Sequence, residues 1–270
     1  MYLPSSYQNH PLWLTIDVEV LEDANFGITK KRELAIDYER IIDEWIELCD
    51  HHSIKSCAFI LGSFARRFPN AVKKLADAGH DIASHGLRHE LVYKLPFDVW
   101  KEETKTSKKI LEDITGREVA GYRSPSWTLP FEKRYYEALA ELGFRFSSSY
   151  FPFKTYLYGN EIDKKRPFKI FTDSGTVTEI PVPKRLIPFS GGFYLRMLPA
   201  PIAWLLMKSL MKSKVKPIIY THPYELQEGL FLQFLRDVVF DKAYILTFAN
   251  TGNTKKRIEY LLKSIKDENA

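Results

Sequence analysis

The chain has 270 residues, 45% hydrophobic and 27% charged, with 39 basic against 34 acidic side chains and a net charge of +5. That length buries a substantial core, and the composition is ordinary for a globular protein rather than a disordered or fibrous one. The charges are interspersed, which argues against a nucleic-acid binder but leaves room for an anionic ligand or membrane surface. Cys49 and Cys57 make no disulfide framework and read as buried free thiols. The sequence opens without a basic n-region and long apolar stretch, and no run reaches the length of a membrane span. The expectation is therefore a cytoplasmic protein.

LWLTI (12–16) is a β-rich run ending at Asp17 and predicts a first strand. DYERIIDEWIELCDHH (37–52) sets Tyr38, Ile41, Ile42, Trp45, Ile46, Leu48 and Cys49 near helical spacing. IKSCAFI (54–60) predicts a strand, NAVKKLADAG (70–79) a helix capped by Asn70 and stopped by Gly79, and HDIAS (80–84) a strand. FDVWKEETKTSKKILEDITG (97–116) predicts a long amphipathic helix beginning near Asp98 after Pro96. REVAGYR (117–123) follows as a strand, EKRYYEALAELG (132–143) as a helix and FRFSS (144–148) as a strand. Such alternation with short connections predicts βα units and a parallel sheet or barrel. Residues 150–198, rich in Pro, Gly and aromatics, predict a β-containing insertion or an irregular barrel segment, with strand-like FKIFT (168–172) and TVTEIPV (176–182). APIAWLLMKSLMK (200–212) predicts a helix, KPIIYTH (216–222) a strand and NTKKRIEYLLKSIKD (253–267) a closing helix. Nothing reads as a repeat or linker, so one domain over 1–270 is expected.

Asp17, the pair His85 and His89, Arg123 and His222 each fall at or just past the carboxyl end of a predicted strand. In parallel α/β architectures those ends gather on one face, where sites are built. His85 and His89 are four apart, and neutral imidazole is the commonest metal ligand. Gly86 permits a sharp exit from the strand. A lone pair of this spacing is also common on surfaces. Asp17 and Glu19 add two carboxylates, and a carboxylate with two histidines leaves coordination positions for water and substrate. The second carboxylate can then take a proton from water; alternatively, both merely cap a loop. In GYRSPSW (121–127), Arg123 can hold a carboxylate ionised by a bidentate pair. Trp127 can pack on a sugar ring or acyl group, or sit in the core. His222, before Pro223, suits proton donation to a leaving amine, or is a satisfied histidine at a strand end.

Taken together, LTIDVE, SHGLRH, GYRSPSW, GFRFSSSYFP and YTHPYEL resemble, in order and spacing, the motifs of the polysaccharide deacetylase family, also called the NodB-homology or carbohydrate esterase type. GGFYLRMLP (191–199) and TGNTKKRIEYLL resemble the branch found in exopolysaccharide and surface-polysaccharide clusters. The resemblance covers most of the chain. It implies an α/β fold, an irregular (β/α) barrel of NodB-homology type with the β-containing insertion around 150–198. It also implies a metal-dependent N-deacetylase, by family habit a zinc enzyme. Asp17 would be the general base, His222 the general acid and Arg123 the partner of Asp17. His85, His89 and Glu19 would hold the metal, and Ser126, Trp127 and Tyr224 would meet substrate, with an oxyanion donor near Ser126. The common motif places a ligand Asp where this chain has Val18, so the carboxylate role moves to Glu19. An Asp near the acid is replaced by Ser147, so another group must set His222.

The implied substrate is an N-acetylated amino sugar, lipid- or nucleotide-linked, in a surface-polysaccharide or glycolipid precursor at the inner face of the membrane. LRMLPAPIAWLLMKSLMKSKVKP (195–217) either packs on the barrel with Lys208, Lys212, Lys214 and Lys216 outward or makes a peripheral contact with an anionic membrane. Two other readings stay open: a hydrolase of another linear or cyclic amide, allantoinase- or imidase-like, and a degenerate carbohydrate-binding protein.

Overall fold

The computed structural model describes residues 1–23, 36–152, 159, 164–183, 190–228 and 250–269, and the first strand sets its layers. β1 (Trp13–Val18) is buried throughout. Side chains alternate across a strand. Leu12, Leu14, Ile16 and Val18 therefore enter the larger apolar core with the helices, while Trp13 joins a second cluster with Cys57, Phe59, Ala83, Phe146 and Ile218. Thr15 and Asp17 share the Trp13 side.

The other strands are β2 (Cys57–Ile60), β3 (Asp81–Ser84), β4 (Gly121–Tyr122), β5 (Phe146–Ser147), β6 (Phe168–Thr172), β7 (Gly175–Glu179) and β8 (Ile218–Thr221). They form one sheet in the order β6-β7-β5-β4-β3-β2-β1-β8. Every pairing is parallel except β6 with β7. β6 and β8 end the order, so this is the irregular, open form of a barrel. Of the two readings of residues 150–198, the irregular barrel segment holds for its strands, because β7 pairs in parallel with β5 and is part of the sheet itself. β4 is shorter than REVAGYR suggested. Ahead of it, Val119 N–H donates to Glu112 and Arg117 donates to the Ala76 carbonyl, so side chains rather than a ladder satisfy or anchor that segment.

Helices fill the connections. α1 (Ser5–Gln8) precedes β1, and α2 (Tyr38–His51) starts on Asp37, whose carboxylate accepts from Arg40 N–H. α2 buries the apolar face read from its sequence, Ile46 remaining partly exposed. α3 (Gly62–Arg67) runs into α4 (Pro69–Asp77), where Pro69 takes the first helical position, so Asn70 is not the cap. α5 (Phe97–Thr115) stops at Gly116, whose φ of 65° is the left-handed conformation that glycine adopts freely. α6 (Lys133–Glu141), α7 (Gly192–Met197), α8 (Ala200–Lys212), α9 (Pro223–Leu226) and α10 (Thr254–Asn269) follow.

α8 packs against α10, and Lys208 pairs with Glu268. Lys212 and Lys214 are exposed, but Lys216 turns inward to the carbonyls of Tyr7 and His10, so that lysine does not point outward as expected. Cys49 and Cys57 are buried free thiols. Among the described residues, no helix is long and apolar enough to cross a membrane.

Candidate active site

Parity along β1 carries Asp17 to the inner face, and Glu19, two residues on, follows the same direction just past the strand. Val18 lies between them, fully buried in the helix-facing core. β3 ends at Ser84, and the chain then turns through Gly86 at a φ of 91°. Ser84 accepts from Gly86 N–H, and Ser107 donates to the Gly86 carbonyl, which fixes the exit. This turn brings His85 and His89 to Glu19. One ligand atom from each of the three lies within 4.8 Å of the others.

Glu19 Oε2 is 3.0 Å from His89 Nε2 and 3.9 Å from His85 Nε2. The close approach to His89 has no hydrogen-bond geometry, and Glu19 Oε2 is buried without a hydrogen-bond partner. Burial pushes the Glu19 carboxyl up to about 8, with His222 opposing and Asp17, Asp23 and Glu225 adding. Burial also lowers His85 to about 4 and, with the His85 and His222 charges, holds His89 well below the ordinary range. Neutral imidazoles facing an unpaired buried carboxylate oxygen are the donor set that a divalent cation requires. His85 Nδ1 lies 2.8 Å from the Arg123 carbonyl, which orients the ring and leaves Nε2 for that cation. The residues present fit the metal that the sequence implied.

Arg123 follows β4 and is fully buried. Its Nη1 donates to Asp17 Oδ1 at 2.6 Å and to Thr15 at 3.0 Å, and its Nη2 donates to Ser148 at 3.2 Å. The bidentate pair expected from the sequence is thus a single contact, because Ser148 takes the other nitrogen. The guanidinium carbon lies 3.9 Å from the Phe59 ring centroid, a cation–π contact.

After Arg123, Ser126 and Trp127 have φ values of 50° and 52°. Two successive non-glycine residues in that region store strain, which elsewhere gathers at functional turns. Ser126 is half-buried. Trp127 is only 7% exposed and packs edge-on to Tyr220, with Phe151 and Val182 beside it. It is chiefly a wall of a small apolar cluster. Tyr224 is 2% exposed and stacks on His222 with centroids 5.1 Å apart, so it backs the imidazole rather than lining an open surface.

His222 follows β8 directly and is the N-cap of α9. Its Nε2 lies 3.9 Å from Glu19 Oε1, and its side chain, 17% exposed, is the most open of the group. Its Nδ1 is 3.1 Å from Glu225 Oε2, and Glu225 Oε1 is 2.8 Å from Arg196 Nε. Burial opposes charge on His222, yet Glu225, then Glu19 and Asp17, raise it to about 9. Burial also works against the Glu225 carboxylate, but Arg196 and His222 hold it at about 2. Sequence reading did not find Glu225 or the part Arg196 plays. The available signals were a Glu at the third position of the turn after His222 and the Arg of GGFYLRMLP. Ser147 turns to Ser149, and the buried Glu179 nearby accepts from Tyr136 and the N–H groups of Ser149 and Tyr150.

A cation-ready Glu/His/His set, a buried Asp–Arg pair and a carboxylate-held histidine at the carboxyl ends of parallel strands have the layout of a metal-assisted hydrolytic site. Residues 32–147 match the family model for polysaccharide deacetylase, and residues 148–268 match a domain of unknown function, DUF3473. Through residues 32–147, less than half of its length, the chain is similar to the polysaccharide deacetylase family. His85, His89 and Arg123 lie within that match, Asp17 and Glu19 precede it, and His222 lies in the second.

A peptidoglycan-N-acetylglucosamine deacetylase of Bacillus cereus is 26% identical over 127 residues, 43% of this chain and 46% of that protein. The chain spans less than half the length of the curated relatives it matches. A structure described as a probable polysaccharide deacetylase of Pseudomonas aeruginosa PAO1 superposes with a TM-score of 0.60 at 14% identity, over 95% of this chain and 84% of that one. A family 4 carbohydrate esterase pseudoenzyme of Bacillus anthracis gives 0.51 at 10% identity, over 96% and 62%. At such identities the likeness is one of fold.

Proposed function

We propose that the chain is a metal-dependent deacetylase that removes the N-acetyl group from an amino sugar of a surface-polysaccharide or glycolipid precursor, releasing acetate. The observation that carries this reading is the unpaired, buried Glu19 oxygen facing His85 and His89, with Asp17 and His222 nearby. The match of residues 32–147 to the polysaccharide deacetylase model supports the reaction, and the GGFYLRMLP and closing motifs support the precursor class. The donor set of one carboxylate and two imidazoles suits zinc.

Glu19, His85 and His89 would hold the metal, which would supply Lewis acidity toward the acetamide and the attacking water. Asp17 has Oδ1 committed to Arg123, and its other oxygen accepts the proton of the attacking water. Arg123 fixes that carboxylate from a buried position and so orients the base. The strained turn at Ser126 presents backbone N–H to the developing oxyanion. His222 Nε2, on the open side of its ring, donates the proton that lets the amine leave.

The test is metal content together with acetate release from N-acetylhexosamine conjugates. Purified protein should carry about one zinc per chain and deacetylate those conjugates, and His89→Ala should lose both properties. Hydrolysis of cyclic amides but not of the conjugates would point to the allantoinase-like reading. Metal-free protein that binds sugars equally well after Asp17→Ala would show a degenerate, non-catalytic domain and refute the proposal.

A further inference from the structure

We propose that Glu225, anchored by Arg196, is the positioning residue that fixes the His222 imidazole for proton donation to the leaving amine. This rests on the deacetylase reading and supplies the partner that His222 needs where the chain carries Ser147. The Ser147 hydroxyl is engaged with Ser149.

Three hydrogen bonds converge on Glu225 Oε2: Thr221 Oγ1 at 3.0 Å, the His222 backbone N–H at 3.0 Å and His222 Nδ1 at 3.1 Å. A carboxylate beside Nδ1 places the ring proton there. Nε2 is then the nitrogen that exchanges a proton with substrate. Tyr224 stacks at 10° on the ring face, and Tyr220 meets it edge-on. The imidazole is therefore held at one edge and against one face, and its Nε2 side is left toward Glu19 and solvent.

Arg196 makes this arrangement stable. Glu225 and Arg196 are both almost fully buried, and neither charge is tolerable there without the other. α7, which carries Arg196, is fixed from both ends. Arg257 of α10 donates to the carbonyls of Leu195 and Leu198. At the other end Gly191 bridges Tyr220, and a Cβ on Gly191 would lie 2.0 Å from the Tyr220 carbonyl oxygen. The GGFYLRMLP motif thus has a physical explanation. Its glycine lets the segment lie against β8, and its arginine reaches the carboxylate behind the histidine.

A leaving-group comparison on the zinc-loaded full chain tests this. Loss of a positioned acid slows release of an amine, which must be protonated. It spares 4-nitrophenyl acetate, whose phenolate leaves unprotonated. Glu225→Gln should lower kcat on an N-acetylglucosamine oligosaccharide about 100-fold, with KM, zinc content and 4-nitrophenyl acetate hydrolysis each within about threefold. Arg196→Met should move the same way, and Arg196→Lys should recover part of the loss. A parallel fall on both substrates, or no fall on the amide, overturns the proposal, and Arg196→Met gives the same reading if Glu225→Gln does not fold. Wild-type protein that binds zinc yet deacetylates no N-acetyl sugar overturns the deacetylase reading itself, a result separable from the others because it needs no variant.

Discussion

Glu19→Gln is the sharpest probe of the metal set, because its effect on stability should change sign when the cation is added. In metal-free protein Glu19 is buried with Oε2 unpaired, and its carboxyl is raised from 4.5 to about 8. That difference corresponds to about 5 kcal/mol against the charged form. The folded carboxyl holds its proton more tightly than the unfolded one. The metal-free fold therefore escapes this penalty below the unfolded value of 4.5 and loses stability as pH rises toward the folded value of about 8. Gln keeps the shape and cannot ionise. In chelator, the variant should gain on wild type as pH climbs from about 5 to about 8, by up to several kcal/mol. With zinc, the ionised Glu19 gains its counter-charge, so wild type should be stabilised and the variant much less. Urea unfolding across that pH range, with chelator and with zinc, reads both effects. Parallel pH curves in chelator would refute the raised Glu19 carboxyl, and equal zinc stabilisation of the two proteins would refute Glu19 as a ligand.

Val18→Asp restores the acidic residue of the common motif but places it in the apolar core. It should cost about 3 kcal/mol or more without raising zinc content, as denaturant midpoints and metal analysis will show. Arg123→Met strips the buried Asp17 of its cation and should destabilise by about 3–5 kcal/mol in thermal unfolding. His80, buried and lowered to about 4, accepts from Ser56 N–H through Nδ1. Its folded value lies below the unfolded 6.5, so this contribution is intact above 6.5 and lost as pH falls toward 4, about 3 kcal/mol in all. His80→Asn should flatten that part of the acid-unfolding profile.

What the sequence revealed follows the length of each local signal. α2, α5 and α8 carry several turns of apolar spacing, and all three lie where that spacing put them. α1, α3, α7 and α9 are six residues or fewer, too short for a helical period to register. α9 exists because Glu225 reaches back to His222, a capping arrangement that no apolar pattern announces. The strand-end residues of the site were legible because βα alternation alone says which end of each strand carries chemistry. Arg196 was visible as a motif residue with no role assigned to it, since its partner comes from another helix and only tertiary packing joins them.

The proposed ligand role of Glu19, with Val18 before it, has a geometric basis. A strand alternates faces, so Asp17 and the residue after it cannot both project inward while the strand stays regular. Here β1 remains extended through Val18, with Ile16 and Val18 on the helix side and Thr15 and Asp17 on the inner side. An inward carboxylate beyond Asp17 must then come from position 19, and Glu, one methylene longer than Asp, reaches His89 from there at 3.0 Å. Val18 faces the opposite side from Asp17. It packs in the core and keeps the strand regular, which is what allows Asp17 and Glu19 to act as neighbours on one face.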